Sequence, residues 1–424
     1  MALNRRDFIK WSTAATVLGA VPACSVAPKS ELTKSAPRVV IIGGGFGGAT
    51  AAKYIRMWAN NIDVVLIERN TSFISCPMSN MVLGGTKSIN DLTVGYNALQ
   101  AKYGVKMLKS EVTAINPQTK TVTYKEGQIA YDRLIIAPGV DFMFTQIDGL
   151  TTADAQEKIP HAWKAGAQTL NLRRQLETMA DGGVFVMSIP KAPYRCPPGP
   201  YERASQVAYY FKNSKPKSKI LILDANPDIT SKKGLFTKAW ADLYPGIIEY
   251  RPNASVISVN AANKTAKTEF DDIKAGVLNV IPPMKAGNAA EMAGVINVDN
   301  RWCGVDLLSY ESKVHKHIHI IGDAVSAALP KSGHMANSQG KVCAAAVIAL
   351  LQGQEVEQQP AIANTCYSMV SDNEAMHVAN VYKYDHAKQL MVAAEGGGVS
   401  DKRSAQEGAF AQAWAKNIWA DTLM

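Results

Sequence analysis

None of the six cysteines forms a CxxC pair, and no CxxCH is present. This leaves no recognisable zinc ribbon and no c-type haem attached to this chain. No tract of lysine and arginine interleaved with aromatics occurs, so nucleic acid is not an expected partner. Beyond the N-terminal leader, no apolar run is long enough to cross a bilayer. The formal charge is +9; residues 1–35 hold five basic and two acidic side chains, so +6 falls on the remainder. That mild excess suits anionic small molecules or an acidic protein partner. A length of 424 residues implies two or three domains.

The leader reads "MALNRRDFIKWSTAATVLGAVPACS". Arg5 and Arg6, a Phe two residues on and a Lys precede a short apolar run. This is the pattern of a twin-arginine export signal, with a cleavage position after Ala23. The route implies a periplasmic location. "VPAC" also weakly resembles a lipoprotein box, which would place a lipid on Cys24.

"PRVVIIGGGFGGATAAKYIRMW" opens with a strand over Arg38 to Ile42. Gly43, Gly45 and Gly48 then fit GxGxxG, and a helical run follows. Gly43 permits the tight turn, Gly45 lets a pyrophosphate approach the backbone, and Gly48 lets helix and strand pack closely. A second strand ends at Glu68, placed to accept from ribose hydroxyls. Together these parts predict dinucleotide binding. Two later segments favour FAD over NAD. "YDRLIIAPGVDF" is a short buried strand ending in Ala137, Pro138 and Gly139. "HKHIHIIGDAVSAALPKSGHMANSQGKVCAAAVIALL" is a strand ending at Asp323, followed by a long helix. Asp323 would meet the ribityl–phosphate region, and the helix N-terminus would face the flavin ring.

Residues 183–224 repeat the strand–turn–helix–strand plan, yet the turn is "PKAPYRCPPGP". Prolines deny the backbone donors and positive φ angles that a phosphate cradle needs. NAD(P)H is therefore not the expected reductant. The loop holds Cys196 at a helix start, where the helix dipole would lower the thiol pKa. The plainer reading is a buried structural cysteine. Cys366 lies in "ANTCYSMVSDNEAM", 170 positions on. It is either a redox partner of Cys196 or a packed thiol, and Cys303 and Cys343 remain alternative partners. Cys343, in an alanine-rich helix, reads as a small core residue.

"PHAWKAGAQT", "RCPPGPYERASQVAYY", "IGDA", "PKSGHMANSQGKV" and "NTCYS" carry a resemblance across nearly the whole mature chain. The chain resembles the flavoprotein subunit of flavocytochrome c sulfide dehydrogenase, with sulfide:quinone oxidoreductases as more distant relatives. The resemblance implies an α/β, glutathione reductase-like flavoprotein with two dinucleotide-binding-type domains. The expected division is a leader at 1–35, an FAD domain in two segments at 36–150 and 286–355, a second dinucleotide-type domain at 151–285, and a C-terminal interface domain at 356–424. It implies that Cys196 and Cys366 form a redox-active disulfide. It implies that Cys76, in "SFISCPMSN", holds FAD through a thioether; Pro77 departs from relatives that have an aromatic residue there. Glu202 resembles an acidic residue near the family's disulfide, and either manages protons or caps its helix. Lys331 either supports the reduced flavin as a positive group or is a solvated loop lysine. The implied partner is a small c-type cytochrome carrying the haem, and the implied reaction is sulfide oxidation through the disulfide and FAD. The alternatives are a sulfide:quinone oxidoreductase and a non-catalytic flavoprotein accessory to sulfur oxidation. The C-terminal stripe Phe410, Trp414 and Ile418 reads as packing or partner contact rather than membrane insertion.

Overall fold

The run RVVII at Arg38–Ile42 alternates with nothing polar, as expected of a strand covered on both faces. It is the centre of a five-stranded, wholly parallel sheet in a computed structural model that describes residues 36–424. The twin-arginine leader and Cys24 lie outside the described residues. The strand order is Ile318–Ile320, Arg133–Ile136, Arg38–Ile42, Asp63–Glu68, Lys106–Lys109. The helix Phe46–Trp58 leaves the first strand and packs against the long helix Gly333–Leu351, which comes from far along the chain. Four strands and one helix of this layer are therefore made early. The last strand and its helix return after the second domain.

The passage out and back is a two-stranded antiparallel ribbon, Val140–Phe142 against Met284–Ala286. Between them lies a second parallel sheet, ordered Ile248–Arg251, Lys219–Asp224, Val184–Ile189, Val277–Val280. Its helix Gly199–Ser214 begins two residues before the "YERASQ" run, because Gly199 and Pro200 make its first turn. The C-terminal part is an antiparallel sheet of Ala361–Met369, Ala375–Asp385 and Leu390–Ala393, closed by the helix Ala405–Leu423.

That last helix is pinned at both faces. Ala411, Ala415, Ile418 and Trp419 are buried against Phe46, Met78 and Met81. Fully burying a side chain such as Ile418 stabilises by roughly 1.5–3 kcal/mol. Lys53 donates to the carbonyls of Ala420, Asp421 and Met424 at 3.0, 2.9 and 2.7 Å, which satisfies the helix end with a cation. Of the predicted stripe, Ile418 is buried and Trp414 half-buried, while Phe410 is 49% exposed. Among the described residues no helix is long and apolar enough to cross a membrane.

Candidate active site

The first turn meets its expected chemistry. Gly43 has φ +96°, and a Cβ there would lie 2.4 Å from the Ala137 carbonyl oxygen. At Gly48 a Cβ would fall 1.9 Å from the Gly43 oxygen, so no side chain fits between helix and strand. At Gly45 nothing lies within 4 Å, and the open space is part of a large cavity. Glu68 ends its strand and accepts from the Gly44 amide at 2.7 Å, fixing the carboxylate beside the turn.

The cavity joins the two sheet domains and the C-terminal sheet. Gly45, Cys76, Cys196, Asp323, Gly333 and Cys366 all line it. Ala137, Gly139 and Glu202 line it too. Two polar atoms of opposite charge are sealed from solvent there without a hydrogen-bond partner: Asp323 Oδ1 and Arg195 Nη2. Buried polar groups are nearly always paired in native proteins. The two orphans, the space at Gly45 and the N-terminus of Gly333–Leu351 fit a dinucleotide such as FAD. Burial pushes the Asp323 carboxyl up, against the charges of Arg195 and Lys331. For Arg195 burial acts downward, and the Cys76, Asp323 and Cys196 side chains outweigh it.

Lys331 needs a correction. It is neither a solvated loop lysine nor a lining residue of the cavity. Its ammonium donates to the carbonyls of Asp323 and Val325 at 2.8 and 2.7 Å and lies 3.8 Å from the Trp302 ring centroid. It braces the Asp323 turn from behind, and burial lowers its pKa to about 8. The cations that line the cavity are Arg195, which sits beside Cys196, and Arg203.

Cys196 and Cys366 are both half-buried free thiols in this structure, as is Cys76. Cys303 and Cys343 are fully buried and line no part of the cavity. The proline loop does use a positive φ, contrary to expectation: Cys196 itself has φ +59°. Its amide donates to the Lys331 carbonyl at 2.7 Å, and its carbonyl accepts from Gly199 at 2.9 Å. Gly199 is required for this, since a Cβ there would lie 2.8 Å from Cys196 Sγ and 2.9 Å from the Trp163 ring. The expected lowering of the Cys196 pKa is also corrected. Burial pushes it up, reinforced by Cys366 and Glu202, and Arg195 and Lys232 oppose this only in part. Burial also pushes Cys366 up, while Lys232 and hydrogen bonds to Asn364 and Ser332 act against it.

Beneath the two thiols lies a buried polar network. Glu202 accepts from the Met369 amide and from Asn80 Nδ2, each at 2.9 Å. It therefore ties the Gly199 helix to the Cys366 strand, and burial pushes its carboxyl up. Arg203 is fully buried and donates to Asn80, Asn279 and the carbonyls of His161 and Ala162. Burial lowers its pKa to about 9. Lys232 donates to the Cys366 carbonyl and Ser368 Oγ. Neither Lys232 nor Arg203 was foreseen. Each reads as an ordinary surface charge, and only the fold turns it inward.

The second dinucleotide-type turn is closed. Asp224 ends the strand that, in the first domain, ends in Glu68. It is fully buried, with Oδ2 accepting from Tyr201 and Tyr250 at 2.7 and 3.0 Å and Oδ1 from Asn226. No acceptor is left there for a ribose, and Pro198 and Pro200 offer no amide at the helix start.

Comparisons with known proteins agree with this geometry. Residues 169–282 match the family described as sulfide dehydrogenase (flavocytochrome c) flavoprotein chain, central. Residues 358–423 match flavocytochrome c sulphide dehydrogenase, flavin-binding, and 37–176 match pyridine nucleotide-disulphide oxidoreductase. A sulfide dehydrogenase flavoprotein chain from Chlorobaculum thiosulfatiphilum is 56% identical over 45 residues, 11% of this chain and 94% of that sequence. Two of the three matched families are thus segments of the flavocytochrome c sulfide dehydrogenase flavoprotein chain, and the chain is also similar to sulfide:quinone oxidoreductases. The mitochondrial sulfide:quinone oxidoreductase of Mus musculus is 23% identical over 333 residues, 74% of this chain and 72% of that one. The solved sulfide:quinone oxidoreductase of Aquifex aeolicus shares the fold, with TM-score 0.72 and 19% identity over 91% of this chain and 92% of that one. The expected glutathione reductase-like α/β architecture, with two dinucleotide-binding-type domains, is thus the observed one.

Proposed function

We propose that this flavoprotein oxidises sulfide through a disulfide between Cys196 and Cys366 and delivers the electrons to a c-type cytochrome. One observation carries the reading. Two cysteines 170 positions apart in sequence, from different domains, line the cavity that also holds Gly45, Cys76 and Asp323. In this reading Gly45, Asp323 and Cys76 hold FAD, with Cys76 forming the thioether. When bound, FAD supplies a two-electron acceptor able to return electrons singly to haem. Arg195 offers positive charge in the cavity to hydrosulfide and to negative charge that develops there. The aromatic rings of Trp163, Tyr367 and Trp414 restrict water. Glu202, whose carboxyl is pushed up by burial, is the acidic group placed to exchange a proton near the sulfurs. The cytochrome as acceptor rests on the family match and on the absence of a haem motif in this chain. Export through the twin-arginine leader would place both in the periplasm.

The quinone reading draws on the sulfide:quinone oxidoreductase relatives. Turnover with sulfide and either cytochrome c or a soluble quinone separates the two. The proposal expects cytochrome c reduction to be the faster. Faster quinone reduction would overturn the acceptor, and no turnover with either would leave the accessory role.

A further inference from the structure

Lys232 lies in "SKKGLF", just before the helix Lys233–Leu243, where a lysine normally meets solvent. Here it is 8% exposed. Its φ of +56° is sparsely populated for a side chain of this kind. Non-glycine residues held in such conformations cluster at functional sites. Cys196, at φ +59°, is a second case in the same cluster.

The ammonium has three donors. Two are committed, to the Cys366 carbonyl at 2.9 Å and to Ser368 Oγ at 2.8 Å. The third remains for the charges around it, which are Cys366, Glu202, Cys196 and Glu407. The two sulfurs therefore face unequal surroundings. Asn364 Nδ2 donates to Cys366 Sγ at 3.4 Å. Among the described residues no hydrogen-bond donor reaches Cys196 Sγ, which rests against Gly199 and the Trp163 ring side of the loop. Lys232 and Glu202 act on both sulfurs and Arg195 on Cys196 as well, but Lys232 is bonded to the Cys366 residue itself, and among the described residues only at Cys366 does a hydrogen-bond donor meet the sulfur.

We propose that Lys232 is a positioning residue that makes Cys366 the sulfur released as thiolate, and so directs hydrosulfide to Cys196. This rests on the disulfide reading above. In the step, the hydrosulfide sulfur bonds to Cys196 Sγ and the Cys196–Cys366 bond breaks. The electron pair of that bond leaves on Cys366, and the proton stays on the new persulfide. The sulfide sulfur is oxidised, the disulfide is reduced, and one negative charge is conserved. In thiol–disulfide exchange the better-stabilised thiolate leaves faster.

The test uses the flavin-loaded protein. Its disulfide is reduced, a limiting amount of iodoacetamide is added at neutral pH, and peptides are weighed. The wild type should carry at least tenfold more label on Cys366 than on Cys196. In Lys232→Met the ratio should fall towards one, and Lys232→Arg should restore most of it. A merely structural lysine would not set this ratio. The wild type alone supplies a second readout, the pH dependence of Cys366 alkylation. The groups facing Cys366 in that profile are Lys232, Glu202, Cys196 and Tyr382, with His334 bonded to the neighbouring Thr365 amide. Cys366 should react at lower pH than Cys196. Preferential labelling of Cys196 in the wild type, or an unchanged ratio in Lys232→Met, would overturn the role of Lys232 alone. Oxidised protein lacking a Cys196–Cys366 bond would overturn the disulfide reading and this inference with it.

Discussion

Gly45 and Gly48 stand three residues apart in one turn, and alanine should act oppositely at the two. At Gly48 the new Cβ would lie 1.9 Å from the Gly43 carbonyl oxygen and 3.2 Å from the Ala137 Cβ. The clashing atom is backbone, so helix and strand must separate by more than about 1 Å to reach ordinary contact. Overpacking of this kind typically costs about 1–3 kcal/mol, and a backbone clash belongs at the upper end. At Gly45 the backbone has φ −73°, which alanine adopts freely, and no atom lies within 4 Å. The flavin-free fold should then keep its stability or gain up to about 1 kcal/mol, because alanine restricts the unfolded chain. The same methyl projects into the space assigned to the pyrophosphate. Urea unfolding of flavin-free protein should separate the variants by about 3 kcal/mol. Flavin absorbance per chain should fall at least tenfold in Gly45→Ala despite its intact fold. A Gly45→Ala protein with full flavin content, or a Gly48→Ala protein as stable as wild type, would refute the reasoning.

NADH should not bleach the flavin at a catalytic rate, because Asp224 is filled by Tyr201, Tyr250 and Asn226 and neither Pro198 nor Pro200 offers an amide at the helix start; stopped-flow absorbance measures this. Cys76 should retain flavin after acid precipitation, and a tryptic peptide containing Cys76 should carry the flavin mass; release of all flavin into the supernatant would refute attachment. His161 should make the protein acid-sensitive. Burial lowers its pKa to about 3, and its Nδ1 accepts from the Trp163 amide. The folded state thus binds fewer protons than the unfolded one, where the value is about 6.5. Its contribution is complete above about pH 6.5 and falls by up to about 1.4 kcal/mol per pH unit below that. Urea midpoints between pH 7 and 4 should show this slope, and His161→Gln should flatten it.

The first nucleotide turn was legible because its parts are local. Strand, glycines, helix and Glu68 fall within one short stretch, and each residue type has one steric or hydrogen-bonding reason. The replacement of glycines by prolines around Cys196 was legible for the same reason. The proposed disulfide partner was not, since no local rule relates Cys366 to Cys196; only the return of the C-terminal sheet sets both on one cavity. Charge was the least legible feature. Lys331 and Lys232 look alike in sequence, yet one braces the Asp323 turn and the other reaches the Cys366 strand. Arg195 lines the cavity with an unpartnered nitrogen, while Arg203 is consumed by four polar partners. Which way a long cation points depends on which carbonyls the finished fold leaves unpaired. The helix-dipole expectation for Cys196 failed for a related reason: burial by loop, ring and neighbouring sulfur outweighs a helix start three residues away.

Anaerobic stopped-flow mixing of sulfide with flavin-loaded Cys366→Ser protein tests the central claim most directly. The variant should hold its normal flavin content, and sulfide-dependent bleaching should be lost by at least a hundredfold relative to wild type. Bleaching at a near-normal rate would show that Cys366 is not part of the disulfide that sulfide opens.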